Sequence, residues 1–180
     1  MKAGTNVIRN TVVGLISLVL VGFFIPTEGT ARVFNDEICA PDSMFRGDRL
    51  ESNAKLPGTQ TSKYHLDFQG NGDLVLYQRP GGGIGPDTIL FRAFTDGSPA
   101  DKVSMQGDGN LVIYGGPTVL KDTEITVQAT DPPNIICNTF LTIDSDGILR
   151  IGRNISILWD TNPSVYQQKL NCHGWRTNCR

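Results

Sequence analysis

The sequence predicts an all-β fold made of three four-stranded antiparallel sheets arranged around a pseudo-threefold axis. Three observations lead to it. A ten-residue unit with period-two alternation, which is the pattern of a half-buried strand, occurs three times. Gly, Pro, Asp and Asn interrupt the chain at short intervals, as expected for many short strands joined by turns. No convincing amphipathic helix is found after residue 31.

The three units are "FQGNGDLVLY" (68–77), "MQGDGNLVIY" (105–114) and "IDSDGILRIG" (143–152), here called copies one, two and three. They align without a gap. Each predicts a strand, a tight glycine turn and a second strand. The shared apolar positions are predicted to face the core: Phe68, Met105 and Ile143; Leu74, Leu111 and Leu149; Leu76, Ile113 and Ile151.

A second block follows each copy and predicts the next strand: "ILFRAF" (89–94), "VLKDTE" (119–124) and "ILWDTN" (157–162). Phe91 and Trp159 are equivalent here and are predicted to be core residues, with Lys121 in the same position of copy two. Copy one carries an extra loop, "RPGGGIGPD" (79–87). The segment "MFRGDRLESNAKL" (44–56) is predicted to form a lead-in strand pair for copy one.

The outward positions differ between the copies. Copy two has Gln106, Asp108, Asn110, Val112 and Tyr114, and copy one repeats the set, with acid and amide exchanged, as Gln69, Asn71, Asp73, Val75 and Tyr77. Copy three has Asp144, Asp146, Ile148, Arg150 and Gly152 and keeps little of the pattern. A face that is merely solvated would not repeat five specific residues in two copies and lose them in the third, so this pattern indicates a binding function.

At residues 106–114 the sequence resembles the bulb-type, snowdrop-like mannose-binding lectins of monocots. It matches their Gln-x-Asp-x-Asn-x-Val-x-Tyr signature at every specified position. The resemblance covers about residues 42–162 and implies a β-prism II fold that binds mannose or mannose-rich glycans. Asp108 and Asn110 would bind an axial hydroxyl as acceptor and donor. Gln106 and Tyr114 would bind neighbouring hydroxyls, and Val112 would pack against the C–H face of the sugar.

The same resemblance implies unequal sites. Copy one is expected to keep the groove with its donors and acceptors reversed, which would weaken or alter binding. Copy three is expected not to bind, because Ile148 forms no hydrogen bond, Gly152 lacks the phenol and Arg150 replaces the aliphatic patch. A single shallow site that forms only a few hydrogen bonds implies weak binding, with a dissociation constant on the order of millimolar for a monosaccharide. Several sites or several chains would therefore be needed for avidity.

The amino terminus predicts a secretory signal peptide over residues 1–31. Lys2 and Arg9 precede an apolar run (11–24), and small residues lie at Gly29 and Ala31. A retained signal anchor is the alternative. Without residues 1–31 the chain has 14 basic and 17 acidic residues and a net charge of −3. That balance argues against a nucleic-acid partner. We expect a secreted, extracellular protein with no membrane insertion after cleavage.

Four cysteines, Cys39, Cys137, Cys172 and Cys179, predict two disulfides with three pairings open. Because Cys39, Cys172 and Cys179 lie towards the chain ends, at least one disulfide should tie a terminal segment to the body of the protein. The lectin domain is predicted over residues 32–162. The tail, residues 163–180, could exchange with a second chain in a homodimer, as in the family, or fold back through Cys172 and Cys179. Asn154 begins the one glycosylation sequon and is a predicted acceptor.

The sequence contains no nucleophile motif and no metal-ligand spacing, so we predict no enzyme, no catalytic residues, no metal and no cofactor. Two functions remain. The first is a secreted lectin that recognises mannose-containing glycans, with defence as the role that the family resemblance implies. The second is a protein with the lectin fold, vestigial sugar sites and a function in protein–protein contacts, which the loss of copy three and the unmatched tail favour.

Overall fold

The computed structural model describes residues 30–125 and 137–161, which form thirteen β-strands and no helix. These two ranges therefore contain no helix long and apolar enough to cross a membrane. Residues 1–29 of the predicted signal peptide (1–31) and the whole predicted tail (163–180) lie outside the described residues. The strands are β1 Val33–Asn35, β2 Glu37–Cys39, β3 Ser43–Phe45, β4 Arg49–Glu51, β5 Tyr64–Phe68, β6 Leu74–Gln78, β7 Thr88–Arg92, β8 Lys102–Met105, β9 Leu111–Gly115, β10 Thr118–Asp122, β11 Thr139–Ile143, β12 Leu149–Arg153 and β13 Ser156–Asp160.

Each copy supplies three consecutive antiparallel strands to its own sheet, as predicted. The sheet orders are β1-β4-β5-β6-β7 for copy one, β10-β9-β8-β3 for copy two and β13-β12-β11-β2 for copy three. The fourth strand of each sheet comes from the segment before copy one. The prediction that residues 44–56 form a strand pair for copy one is wrong, because β3 pairs with copy two and only β4 pairs with copy one. This distribution gives every sheet a strand that covers an otherwise open edge.

The sheet of copy one has a fifth strand that the sequence did not predict. Strand β1 runs parallel to β4, with Val33 opposite Arg49 and Asn35 opposite Glu51. A strand of three residues is too short to show a period-two pattern. The first residues after the predicted signal peptide are therefore part of the folded domain.

The core lies between the three sheets, and the predicted inward positions are confirmed. All nine of those side chains are at most 3% exposed. Burying an aliphatic side chain of this size contributes about 1.5–3 kcal/mol relative to leaving it in water. The repeated apolar positions thus supply nine of the eighteen buried residues that form the core between the three sheets.

The glycine turn predicted for each copy is also confirmed. In copy two the Gly109 N–H donates to the Gln106 carbonyl at 3.0 Å, and the Gln106 N–H donates to the Asn110 carbonyl at 2.9 Å. Gly109 has φ of +90°, a conformation that other residues rarely adopt. Copies one and three have the same pattern of bonds. The turn fixes which side chains of the hairpin share its outer face.

The third strands pair as the aligned blocks predicted. Phe91 lies opposite Leu76, Lys121 opposite Ile113 and Trp159 opposite Ile151, with a shift of register beside each pair. Phe91 and Trp159 pack against the core with their ring centroids 6.3 Å apart, edge to face. Lys121 donates to the Ala93 carbonyl, and burial lowers the pKa of its ammonium group.

Cys39 of β2 forms a disulfide with Cys137, with 4.7 Å between the Cα atoms. This bond ties β2 to the beginning of copy three, which confirms one of the two predicted disulfides. Cys172 and Cys179 lie outside the described residues. Asn154 is exposed in the turn between β12 and β13, and its glycosylation stays a prediction.

Candidate functional site

The candidate site is the outer face of the copy-two hairpin, β8–turn–β9. Gln106 and Tyr114 lie at its two ends and are joined directly, because the Gln106 amide Nε2 donates to the Tyr114 phenol oxygen at 2.7 Å. The phenol accepts this bond, so its own proton remains available to donate. Lys102 lies 4.7 Å from the centroid of the Tyr114 ring. The ring is therefore fixed on two sides.

Asp108 and Asn110 are oriented by bonds inside the hairpin and to β10. Asp108 Oδ1 accepts the Asn110 N–H at 3.0 Å. Asn110 Oδ1 accepts the Thr123 N–H at 3.0 Å and the Thr123 hydroxyl at 2.9 Å. Because a backbone N–H can only donate, the atom facing Thr123 must be the amide oxygen. The other amide atom, Nδ2, is then left as a donor.

Thr123 is a positioning residue that the sequence analysis did not identify. Its buried hydroxyl accepts the Leu111 N–H at 3.0 Å and donates to Asn110, so it connects β9 to the amide. The aligned blocks did point to this threonine, because "KDT" (121–123) in copy two matches "WDT" (159–161) in copy three. Thr161 of copy three also accepts the N–H of the equivalent leucine, Leu149, at 3.1 Å.

Val112 is placed differently from the prediction. It lies between Ser104 of β8 and Asp122 of β10 and is only 2% exposed. Val75 of copy one is 1% exposed. Neither valine offers an open aliphatic patch, because each lies on a central strand with neighbours on both sides. The predicted packing of a sugar against these valines is therefore not supported by their burial.

In copy one, Gln69 and Tyr77 are joined in the same way as Gln106 and Tyr114 of copy two. The Gln69 amide Nε2 donates to the Tyr77 phenol oxygen at 2.6 Å. Asn71 Oδ1 accepts the Asp73 N–H at 3.0 Å, as Asp108 does for Asn110. The turn and the amide-to-phenol bond are thus equivalent in the two copies. The exchanged pair differs at both positions, since Asn71 is left with the donor Nδ2 where Asp108 has a carboxylate oxygen, and Asp73 replaces Asn110.

Asp73 does not offer its carboxylate to the groove. It is 0% exposed, its Oδ1 accepts the Thr95 N–H at 3.0 Å, and its Oδ2 accepts from Arg92 Nε at 2.6 Å. This bond in turn raises the pKa of the Arg92 guanidinium. The expectation that copy one has the same donors and acceptors in reversed places is therefore wrong, because both carboxylate oxygens already have partners.

The strand next to each hairpin accounts for the exchange of acid and amide. Arg92 lies opposite Val75 in copy one, and Asp122 lies opposite Val112 in copy two. A buried carboxylate requires a cation beside it, whereas a neutral amide does not. Asp73 and Arg92 thus form a matched pair, whereas the Asn110 amide of copy two needs no cation beside it.

In copy three the groove is occupied by its own ion pairs. The Arg150 guanidinium binds Asp144 and also lies 3.4 Å from Asp146. Gly152 lies opposite Phe140, so a large ring covers the position of the tyrosine from the other strand. The carboxylates that remain in this copy are bonded to the residue that replaced the valine.

A charged cluster that the sequence analysis missed lies beside copy one. His65, 2% exposed, has its Nε2 3.3 Å from Asp87 of the extra loop, and its ring stacks on Tyr77 at 5.2 Å between centroids. Burial lowers the pKa of His65, the positive charges of Arg49 and Arg79 act in the same direction, and Asp67 and Asp87 oppose it. The neutral imidazole is therefore favoured beside the Tyr77 phenol.

Two solved structures share this architecture. The chain is similar to a monomeric monocot mannose-binding lectin from Gastrodia elata, with 22% identity and a TM-score of 0.52, over 71% of this chain and 97% of that one. It is also similar to the Japanese Marasmius oreades lectin, with 22% identity and a TM-score of 0.55, over 76% of this chain and 98% of that one.

At this level of identity the likeness to these lectins establishes the fold, and the predicted β-prism II architecture is confirmed. Comparison of the sequence with protein-family models and with curated protein sequences found no match.

Proposed function

We propose that this chain, whose fold is that of the bulb-type mannose-binding lectins, is a carbohydrate-binding protein and binds mannose through copy two. One observation carries the proposal. Within the described part of the chain, Asp108 Oδ2 and Asn110 Nδ2 have no partner, while the remaining oxygen of each side chain is already bonded. An acceptor and a donor are thus held side by side on the outer face.

This pair suits a sugar hydroxyl, which donates one hydrogen bond and accepts others. The hydroxyl would donate to Asp108 Oδ2 and accept from Asn110 Nδ2. The Tyr114 phenol would donate to a second hydroxyl, since its oxygen already accepts from Gln106. A sugar with a hydroxyl in the wrong orientation would leave one of these groups unpaired, at a cost of about 1–3 kcal/mol, which is the source of selectivity.

The three copies would then contribute unequally. Copy one lacks a free carboxylate, and Asn71, Gln69 and Tyr77 alone would give at most weak or altered binding. Copy three would be silent. With one complete site the affinity for a monosaccharide would be on the order of millimolar, and useful binding would require dense glycans or several chains, such as a homodimer.

We further propose that the protein acts after secretion, with residues 1–31 removed, and functions in recognition of mannose-containing glycans rather than in catalysis. The Cys39–Cys137 disulfide supports an oxidising compartment. Defence is the role that the family resemblance suggests. The alternative, in which the fold acts through protein contacts, is favoured by the closed grooves of copies one and three.

The test is mannose-displaceable binding of the protein to an immobilised high-mannose glycoprotein. Asp108→Asn is the informative variant, because its amide oxygen can still accept the Asn110 N–H while the second oxygen becomes a donor. Binding should fall at least tenfold, as expected for the loss of about 1.4 kcal/mol or more.

Asp146→Asn makes the same change at the equivalent position of copy three and should leave binding unaltered. Wild-type protein without displaceable binding would overturn the proposal and favour the protein-contact function. Equal binding by the wild type and Asp108→Asn would place the sugar elsewhere.

A further inference from the structure

The turn between β3 and β4 contains a buried carboxylate with an unusual set of partners. Asp48, between β3 and β4, is 3% exposed. It accepts the Arg32 backbone N–H at 2.7 Å, Arg32 Nε at 3.0 Å, Arg32 Nη2 at 2.6 Å and the Phe45 N–H at 2.8 Å. Three of these four bonds come from one residue. That residue is the first one after the predicted signal peptide.

Arg32 is held along its whole length. Its carbonyl accepts the Arg49 N–H at 2.9 Å, which starts the parallel pairing of β1 with β4. Its guanidinium lies 4.8 Å from the centroid of the Phe34 ring and 5.4 Å from that of Phe45, and it donates to the Ser43 carbonyl. The backbone nitrogen of Arg32 is therefore fixed against Asp48.

Ala31, by contrast, is exposed and makes the wall of a surface pocket of about 400 Å³ together with Arg32, Gly47 and Gln69. Hydrolysis of the Ala31–Arg32 peptide bond would add one water, leaving a carboxylate on Ala31 and an α-ammonium group on Arg32. The new ammonium would lie where the amide N–H now lies, and the neighbouring pocket would give its other protons access to water.

We propose that processing after Ala31 creates an α-ammonium group on Arg32 that pairs with Asp48, and that this pair fixes β1 as the fifth strand. The proposal rests on the secretory processing proposed above and is independent of sugar binding. The pair would anchor the start of β1, since Arg32, the residue just before this strand, would be held by charge as well as by hydrogen bonds.

The local charges permit this arrangement. The processed Arg32 would carry two positive charges, and two carboxylates face them, Asp48 directly and Asp42 at 3.8 Å from Arg32 Nη1. Hydrogen bonds from a charged donor to a buried carboxylate are shorter and stronger than those from a neutral amide. Cleavage would therefore strengthen a contact that the unprocessed chain already makes.

The experiment begins with secretion of the full 180-residue chain from a eukaryotic host and mass-spectrometric identification of its first residue. The comparison variant has Gly-Ser inserted between Ala31 and Arg32. Its product begins with Gly, so Arg32 keeps an amide N–H for Asp48 but has no charge there. The unfolding equilibrium constant of the natural product should be about tenfold lower than that of the extended one.

The matched control repeats the insertion in an Asp48→Asn background, where the two products should have equal stability. If Asp48→Asn does not accumulate, the proposal is tested by the rate at which an amine-reactive reagent labels the α-amine of the natural and of the extended product. The Arg32 amine should react several times more slowly than the terminal Gly amine of the extended product. A product that begins at another residue, or equal stability and equal labelling rates, would overturn the proposal whatever the sugar binding shows.

Discussion

At the scale of single residues, the pair Asp73 and Asn110 shows how one position can be closed by its own contacts in one copy and left open on the outer face in another. Both side chains accept the N–H of a threonine that follows the neighbouring strand. The amide needs no counter-ion, so its second polar atom can face outward. The carboxylate is buried and its second oxygen binds Arg92 instead. Charge at this position therefore decides whether the side chain is available to a ligand.

Removing Arg92 should reveal that dependence. In Arg92→Met the Asp73 carboxylate stays buried with its cation lost, and we expect the free energy of unfolding to fall by about 2 kcal/mol. Asp73→Asn in the same background should recover most of the loss, because its amide oxygen can still accept the Thr95 N–H. Urea unfolding followed by tryptophan fluorescence measures both. An Arg92→Met protein as stable as the wild type would show that Asp73 does not need its partner.

At the scale of elements, each hairpin has one large ring on its outer face, but its strand changes. Tyr77 and Tyr114 lie on the second strand of copies one and two, facing His65 and Lys102. In copy three the ring is Phe140 on the first strand, and Gly152 lies opposite. A Cβ atom on Gly152 would be 2.5 Å from the Phe140 ring. Copy three thus has a ring packed on a glycine where the other two copies have a tyrosine on the second strand.

Gly152→Ala should therefore destabilise the hairpin. The added methyl group forces the Phe140 ring to move, and overpacking of this kind costs about 1–3 kcal/mol. Gly70→Ala is the matched control, since no atom lies within 4 Å of the position where its Cβ would be. Thermal unfolding of both variants is the measurement. Equal melting temperatures for the two would mean that the Phe140 ring moves away at little cost.

The elements also show what the sequence could and could not predict. Strands and turns followed from the period-two pattern and the repeated glycine, because both depend on neighbouring residues. The partners of β2, β3 and β4 did not, since pairing between distant segments depends on the register of the whole fold. The same limit applies to the candidate site. Asp73 and Asn110 occupy the same position of the repeat, and the sequence alone does not show that one is buried and the other open. The difference depends on Arg92 of the neighbouring strand, which binds the Asp73 carboxylate.

At the scale of the whole molecule, ionisable groups with shifted pKa values are concentrated on the sheet of copy one. Burial tends to raise the pKa values of Asp48 and Glu51, but hydrogen bonds from Arg32 to Asp48 and from Arg79 to Glu51 outweigh it and lower them. The pKa of the His65 imidazole is lowered, chiefly by burial. This sheet holds the fifth strand and the extra loop, so acid should act on it first.

We expect the free energy of unfolding to decrease in two stages as the pH falls. Below the ordinary pKa of 6.5 the unfolded chain binds a proton that the folded His65 resists, so the stability contribution of the neutral imidazole is lost first. Below about 4.5 and 3.8, the ordinary values of Glu51 and Asp48, protonation removes the bonds to Arg79 and Arg32. Urea unfolding from pH 8 to about 3 measures both stages. His65→Gln should abolish the first stage alone, and a variant that retains it would assign that loss to another group.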